Sequence, residues 1–129
     1  MSVNSKELLR SHHPKKHYGS LVYAAYGIKH VFLNERNFRF HLLIGLLILI
    51  LGCLYKINKI EWTIVILTIG FVLVCELINT IIENLMDIVS PAYSQEVKAI
   101  KDMSAGFVLV SAVVAILIGI ILFTPKIFQ

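Results

Sequence analysis

Residues 103–123 run for 21 positions without a charged side chain. A helix of that length rises about 30 Å, the thickness of a bilayer's hydrocarbon core. In lipid, backbone polar groups must pair within the chain, so such a run folds as a helix. Two further uncharged runs, 42–55 and 62–75, hold 14 residues each. Length alone would also suit buried helices of a soluble protein. They are joined by residues 56–61 only, which makes them a tight helical hairpin. Each extends towards about 20 residues through a few polar positions, with Arg39 snorkelling and Glu76 and Asn79 near an interface. Of the 129 residues, 57% are hydrophobic and 16% charged, too apolar for an ordinary soluble domain and short enough for one domain. The expected fold is an all-α integral membrane protein. Its three transmembrane helices fall at about 38–55, 61–89 and 103–123.

Lysine and arginine set the orientation. Lys6, Arg10, Lys15, Lys16, Lys29, Arg36 and Arg39 precede the first span, and Lys98 and Lys101 lie between the second and third. Lys56, Lys59 and Lys126 fall on the other side. Nine against three places the N-terminus and the second connection in the cytoplasm, in a plasma membrane. The first 20 residues are polar and basic with no apolar core, so no cleaved leader is expected. The net charge of +4 suits an anionic membrane surface. No nucleic-acid motif is present. Cys53 and Cys75 lie near opposite ends of adjacent spans and read as small packing residues.

Residues 1–18 read as a mobile basic tail, in which His12, His13 and His17 read as tail and not as a metal site. From residue 19 to 34 the pattern turns amphipathic. Leu21, Ala25, Ile28 and Phe32 share one face, with Val22 and Val31 nearby and Lys29 and His30 towards the polar side. This stretch suits a helix lying on the cytoplasmic interface, or equally one packed on the bundle. A single domain is expected over 19–125, followed by a short tail at 126–129. The second helix, at 29 residues and about 44 Å, outruns the hydrocarbon core and projects into the cytoplasm. Ser90-Pro91 stops it, residues 91–102 form a charged loop, and Thr124-Pro125 ends the third span.

The projecting helix carries Glu76, Asn79, Glu83 and Asp87, spaced three, four and four apart and therefore on one face. Solvated surface accounts for Asp87 and Glu83. It accounts poorly for Glu76 and Asn79, which follow an apolar run directly. Stacked carboxylates repel and ask for a cation, and hard oxygen ligands suit Mg²⁺, which suits phosphate chemistry. Glu35, flanked by Arg36 and Arg39, reads as an interfacial ion pair or as a partner for Glu83 around that metal. Lys101, beside Asp102, reads as a topology signal or as a point charge for a nucleotide phosphate. No Walker motif, protein-kinase loop, H-E-x-x-H or Ser-His-Asp arrangement occurs.

These pieces together resemble a known family. Asn34-Glu35-Arg36-Asn37-Phe38-Arg39, then Glu76-Leu77-Ile78-Asn79-Thr80-Ile81-Ile82-Glu83 with Asp87, then Ser90-Pro91-Ala92-Tyr93, then Lys101-Asp102-Met103-Ser104-Ala105-Gly106 stand in order and approximate spacing. They resemble the small three-span bacterial lipid kinases, the diacylglycerol kinase and undecaprenol kinase family, over about 19–125. The resemblance leans towards the undecaprenol branch, from which Met103 and Ser104 depart mildly. It implies a homotrimer with an interfacial N-terminal helix and active sites shared between protomers. It implies ATP as co-substrate with Mg²⁺, and a lipid alcohol as acceptor. It implies Glu76 as general base, Glu35 and Glu83 as holders of Mg²⁺, and Asn79, Lys101 and Asp102 around the nucleotide phosphates. Tyr93 would lie on the nucleotide-side loop, and Asp87 is a weaker match. Two other classes stay open on the residues alone: a divalent-cation-binding or transporting membrane protein, and a structural bundle with solvated carboxylates.

Overall fold

The computed structural model describes residues 14–92 and 94–128. Four helices occupy them, α1 (Pro14–Asn34), α2 (Arg36–Leu54), α3 (Lys59–Val89) and α4 (Gln95–Ile127), with no strand among the described residues. The chain forms two compact units, Met1–Asn34 and Glu35–Gln129. The expected tail lies outside the described residues over 1–13, and helix α1 already runs from Pro14. At its last turn the Asn34 amide donates to the His30 carbonyl at 2.8 Å.

In the second unit, α2, α3 and α4 are each long and apolar enough to cross a membrane. Helix α3 is central and packs against both α2 and α4. In the most apolar stretch of the three helices only 17%, 33% and 11% of residues are buried. Most of their apolar surface is therefore offered to lipid or to other chains.

The α2–α3 hairpin is held by local chemistry. Asn58 caps α3, its Oδ1 accepting from the backbone of Ile60 at 2.9 Å and Glu61 at 3.0 Å. The Glu61 carboxylate accepts from the Asn58 backbone at 2.8 Å, completing a reciprocal capping box. Lys56 takes the left-handed φ of 50° that the reversal needs. Two glycines of α2 let the helices close. A Cβ on Gly45 would meet Ile69 at 2.9 Å, and one on Gly52 would meet Trp62 at 2.9 Å. Ile57, Val65 and Phe123 form the buried apolar cluster near this end.

Helix α3 ends at Val89 as expected, with Pro91 unable to continue it. Helix α4 differs from the reading of residues 91–102 as a loop. Ser94 accepts from the Val97 backbone at 3.1 Å and caps a helix that starts at Gln95. Lys98, Lys101 and Asp102 therefore sit on its first turns. The other end also runs further than expected, through Pro125 to Ile127. A proline so near the end forfeits a single backbone bond. Lys126 Nζ meets Glu61 at 3.1 Å and ties that last turn to α3. Cys53 and Cys75 are both free, Cys53 exposed and Cys75 buried.

Candidate active site

The helical spacing of the α3 stripe produces a gradient of burial. Glu76 is 2% exposed and Asn79 6%. Glu83 is half-buried and Asp87 exposed. A carboxylate as deep as Glu76 needs a partner, because burying an unpaired charge is costly. His41 of α2 supplies one, its Nε2 lying 3.2 Å from Glu76 Oε1. Among the described residues, Glu83 and Glu35 also act on Glu76 electrostatically. Three carboxylates that the sequence marked therefore share one neighbourhood.

Glu35 stands at the break between α1 and α2, in extended conformation (φ −99°, ψ 114°). It occupies the cap position of α2, yet its side chain makes no capping hydrogen bond. Its carboxylate is not consumed by the helix end.

Asn79 connects two helices. Its Nδ2 donates to Glu83 Oε1 at 3.1 Å, and its Oδ1 accepts from Ser104 Oγ of α4 at 2.7 Å. Ser104 is 1% exposed and also lies 2.8 Å from the Lys101 carbonyl. Among the described residues, no buried side-chain polar atom lacks a partner. Further along, Lys101 pairs with Asp87 at the exposed end of the stripe. Asp102 pairs with Lys98 at 2.8 Å on the surface of α4. Asp87, Lys98, Lys101 and Asp102 line a depression of about 300 Å³ with Ser90 and Pro91. Tyr93 lies outside the described residues.

On the other side of His41 an apolar groove of about 640 Å³ opens between α2, α3 and α4. It is lined by residues such as Ile44, Ile48, Val72, Ile116 and Phe123. Along α3, Glu76 thus falls between the residues that line the apolar groove and the residue, Asp87, that lines the charged depression.

No group of three or more His, Cys, Asp or Glu side chains converges as a closed metal cage among the described residues. The donor chemistry still fits Mg²⁺. Mg²⁺ is usually held by one or two carboxylates plus substrate phosphates, not by an all-protein cage, and Glu83 and Glu35 offer oxygen ligands of that kind.

Reading residues in sequence missed His41 and Ser104. His41 follows Phe40 at the start of an apolar run, where nothing in the pattern marks it as the partner of a glutamate 35 positions on. In sequence, Ser104 is only a mild departure within a matching motif. Its position one α4 turn beyond Lys101 was the available signal.

Architecture and site define the class: a three-span helical bundle with a carboxylate site at one end. Residues 22–123 match the prokaryotic diacylglycerol kinase family. The chain is 41% identical over 107 residues to an undecaprenol kinase of Bacillus subtilis (strain 168), covering 83% of this chain and 87% of that one. It is 33% identical over 111 residues to a diacylglycerol kinase of Synechocystis sp., covering 85% of this chain and 63% of that one. To a diacylglycerol kinase of Escherichia coli (strain K12) it is 27% identical over 100 residues, covering 78% and 82%. The chain belongs to the prokaryotic diacylglycerol kinase family.

Proposed function

We propose that this chain transfers the γ-phosphoryl group of Mg-ATP to the hydroxyl of a lipid alcohol, with undecaprenol as the preferred acceptor. Lipid kinase activity follows from family membership. It also answers the choice left open between an enzyme and a cation-binding bundle. The observation that carries the chemistry is Glu76, 2% exposed yet paired across helices, on α3 between the residues that line an apolar groove and those that line a charged depression. Undecaprenol is preferred over diacylglycerol on the likeness to the Bacillus undecaprenol kinase.

The lipid lies with its chain along apolar helix surface and its hydroxyl at Glu76. Glu76 takes the hydroxyl proton as the oxygen attacks the γ-phosphorus, a general-base step. Glu83 and Glu35 would hold Mg²⁺, and Asn79 orients Glu83. When bound, Mg²⁺ would supply neutralisation of the nucleotide's phosphate charge. Lys101, released from Asp87, takes a phosphate as a point charge. Asp102 and Tyr93 belong to the nucleotide side. Catalysis is mainly positioning and electrostatics.

The site faces the cytoplasm, where ATP is, in keeping with the nine-to-three distribution of basic residues. Helix α1 lies on that interface, and residues 19–125 form the catalytic domain. The low burial of the spans supports assembly with further copies, and a homotrimer with shared sites is the proposed form.

The test is ATP- and Mg²⁺-dependent phosphorylation of undecaprenol and diacylglycerol side by side, at matched surface concentration, by protein purified in mild detergent. Preference for undecaprenol is expected. Preference for diacylglycerol overturns the acceptor and keeps the residue roles. Turnover of neither by an assembled oligomer overturns the kinase reading.

A further inference from the structure

Glu76 has a neighbour to which the reaction scheme above gives no task. His41 reaches from α2 across to α3, with Nε2 at 3.2 Å from Glu76 Oε1 and a side chain only 19% exposed. Its ring packs edge-on against Phe40, centroids 5.7 Å apart, and lines the end of the apolar groove. Either ring state with a proton on Nε2 donates to the carboxylate. A carboxylate this deep is costly to keep charged without such a donor.

We propose that His41 is a positioning residue for phosphoryl transfer: its Nε2–H holds Oε1 of Glu76, keeps the carboxylate charged, and leaves Oε2 for the lipid hydroxyl. This rests on the reading of Glu76 as the base. The lipid O–H proton goes to Oε2 while the lipid oxygen bonds to the γ-phosphorus. The bond from that phosphorus to the β–γ bridging oxygen breaks, and ADP leaves with the electron pair. Glu76 then returns its proton to water. His41 keeps its Nε2 proton throughout. Among the described residues, the charged groups acting on Glu76 besides His41 are Glu35 before α2 and Glu83 on α3; from α4, Ser104 engages Asn79.

The experiment uses the full-length protein in detergent and measures kcat, KM for ATP and thermal midpoint for His41→Phe, His41→Gln, His41→Asn and Glu76→Gln. Phenylalanine keeps a ring against Phe40 but donates nothing. The glutamine amide nitrogen reaches the place of Nε2, whereas that of asparagine falls nearer Nδ1. His41→Phe is expected to lower kcat about tenfold or more, with KM for ATP within about twofold. His41→Gln should recover most of that loss and His41→Asn should not. Wild-type kcat in His41→Phe overturns the inference, as does a loss common to all three variants that tracks the thermal midpoint. Glu76→Gln separates the two readings. If it is inactive while His41→Phe is fully active, only the role of His41 falls. If it retains turnover, the base reading falls and takes this inference with it.

Discussion

Glu61 and Glu76 sit on the same helix, about four turns apart, and do different things with the same carboxylate. Glu61 closes the capping box with Asn58 and meets Lys126 at 3.1 Å. Its surroundings are a helix end, where backbone donors are free to be satisfied and negative charge is favoured. Glu76 lies mid-helix, where every backbone group already has its partner. Its contact is a side chain from another helix. At the hairpin end, polar residues serve the backbone. At the stripe end they serve one another, through His41 with Glu76 and through Ser104, Asn79 and Glu83. Stability gives little reason to bury the second set, since an apolar replacement of similar volume is often as stable. Function gives one.

The largest expected contrast comes from neutralising the two carboxylates in turn. Glu76→Gln should lower kcat by about two to four orders of magnitude, the usual share of a general base, with helix content and thermal midpoint nearly unchanged. Glu61→Gln should keep turnover within a few-fold and lower the thermal midpoint only slightly, because glutamine still accepts from the Asn58 backbone and only the charge facing Lys126 is lost. Steady-state kinetics and thermal unfolding on both variants decide it. Full turnover in Glu76→Gln would erase the distinction between the two ends.

Glu83 sharpens the comparison within the stripe. Glu83→Gln keeps an oxygen and the reach to Asn79 but removes the charge that favours a cation. The Mg²⁺ concentration for half-maximal rate at fixed ATP should rise about tenfold or more. An unchanged Mg²⁺ titration would take Glu83 out of the metal site and leave Glu35 to be tested alone.

The contrast between the ends also decides what could be read from sequence. Three spans were legible because an uncharged run of 21 residues and a six-residue connection admit few other folds. The stripe was legible because helical spacing is local, so four polar residues on one face of α3 can be counted. His41 was not, since its meaning comes from α2 lying against α3, and Gly45 and Gly52 permit that approach without marking its register. The start of α4 was misplaced because charge between two spans looks like loop. Ser94 as cap and a helix running past the lipid boundary give the same composition. Asp102 stands next to Lys101 in sequence, and one helical step of about 100° lets it pair with Lys98 while Lys101 pairs with Asp87.

Packing at the hairpin should respond next in size. Gly45→Leu forces a side chain into Ile69, where even a Cβ would sit 2.9 Å away. Overpacking of this kind costs about 1–3 kcal/mol, visible as a lower thermal midpoint in detergent. Because Gly45 lies between the ends, lost stability should come with a modest fall in kcat as His41 shifts against Glu76. A variant that keeps its thermal midpoint would show that α2 and α3 slide freely, and that their register is set elsewhere.

The smallest effect is the most discriminating. Ser104→Ala removes one hydroxyl, 1% exposed, that donates to Asn79 Oδ1 at 2.7 Å. That bond fixes which way the Asn79 amide points and so aims Nδ2 at Glu83. Losing it leaves a buried acceptor unpaired, worth about 1–3 kcal/mol if nothing relaxes. A half-turn of the amide offers no escape, because it sets Nδ2 against the new methyl group and Oδ1 against the Glu83 carboxylate, oxygen facing oxygen. Either response loosens Glu83. The expected result is a rise of about two- to fivefold in the Mg²⁺ concentration for half-maximal rate, smaller than for Glu83→Gln, with kcat at saturating Mg²⁺ nearly restored. A variant that loses stability but keeps its Mg²⁺ titration would move Ser104 across the divide. It would then belong with Asn58 and Glu61, among polar groups whose work is to hold helices together.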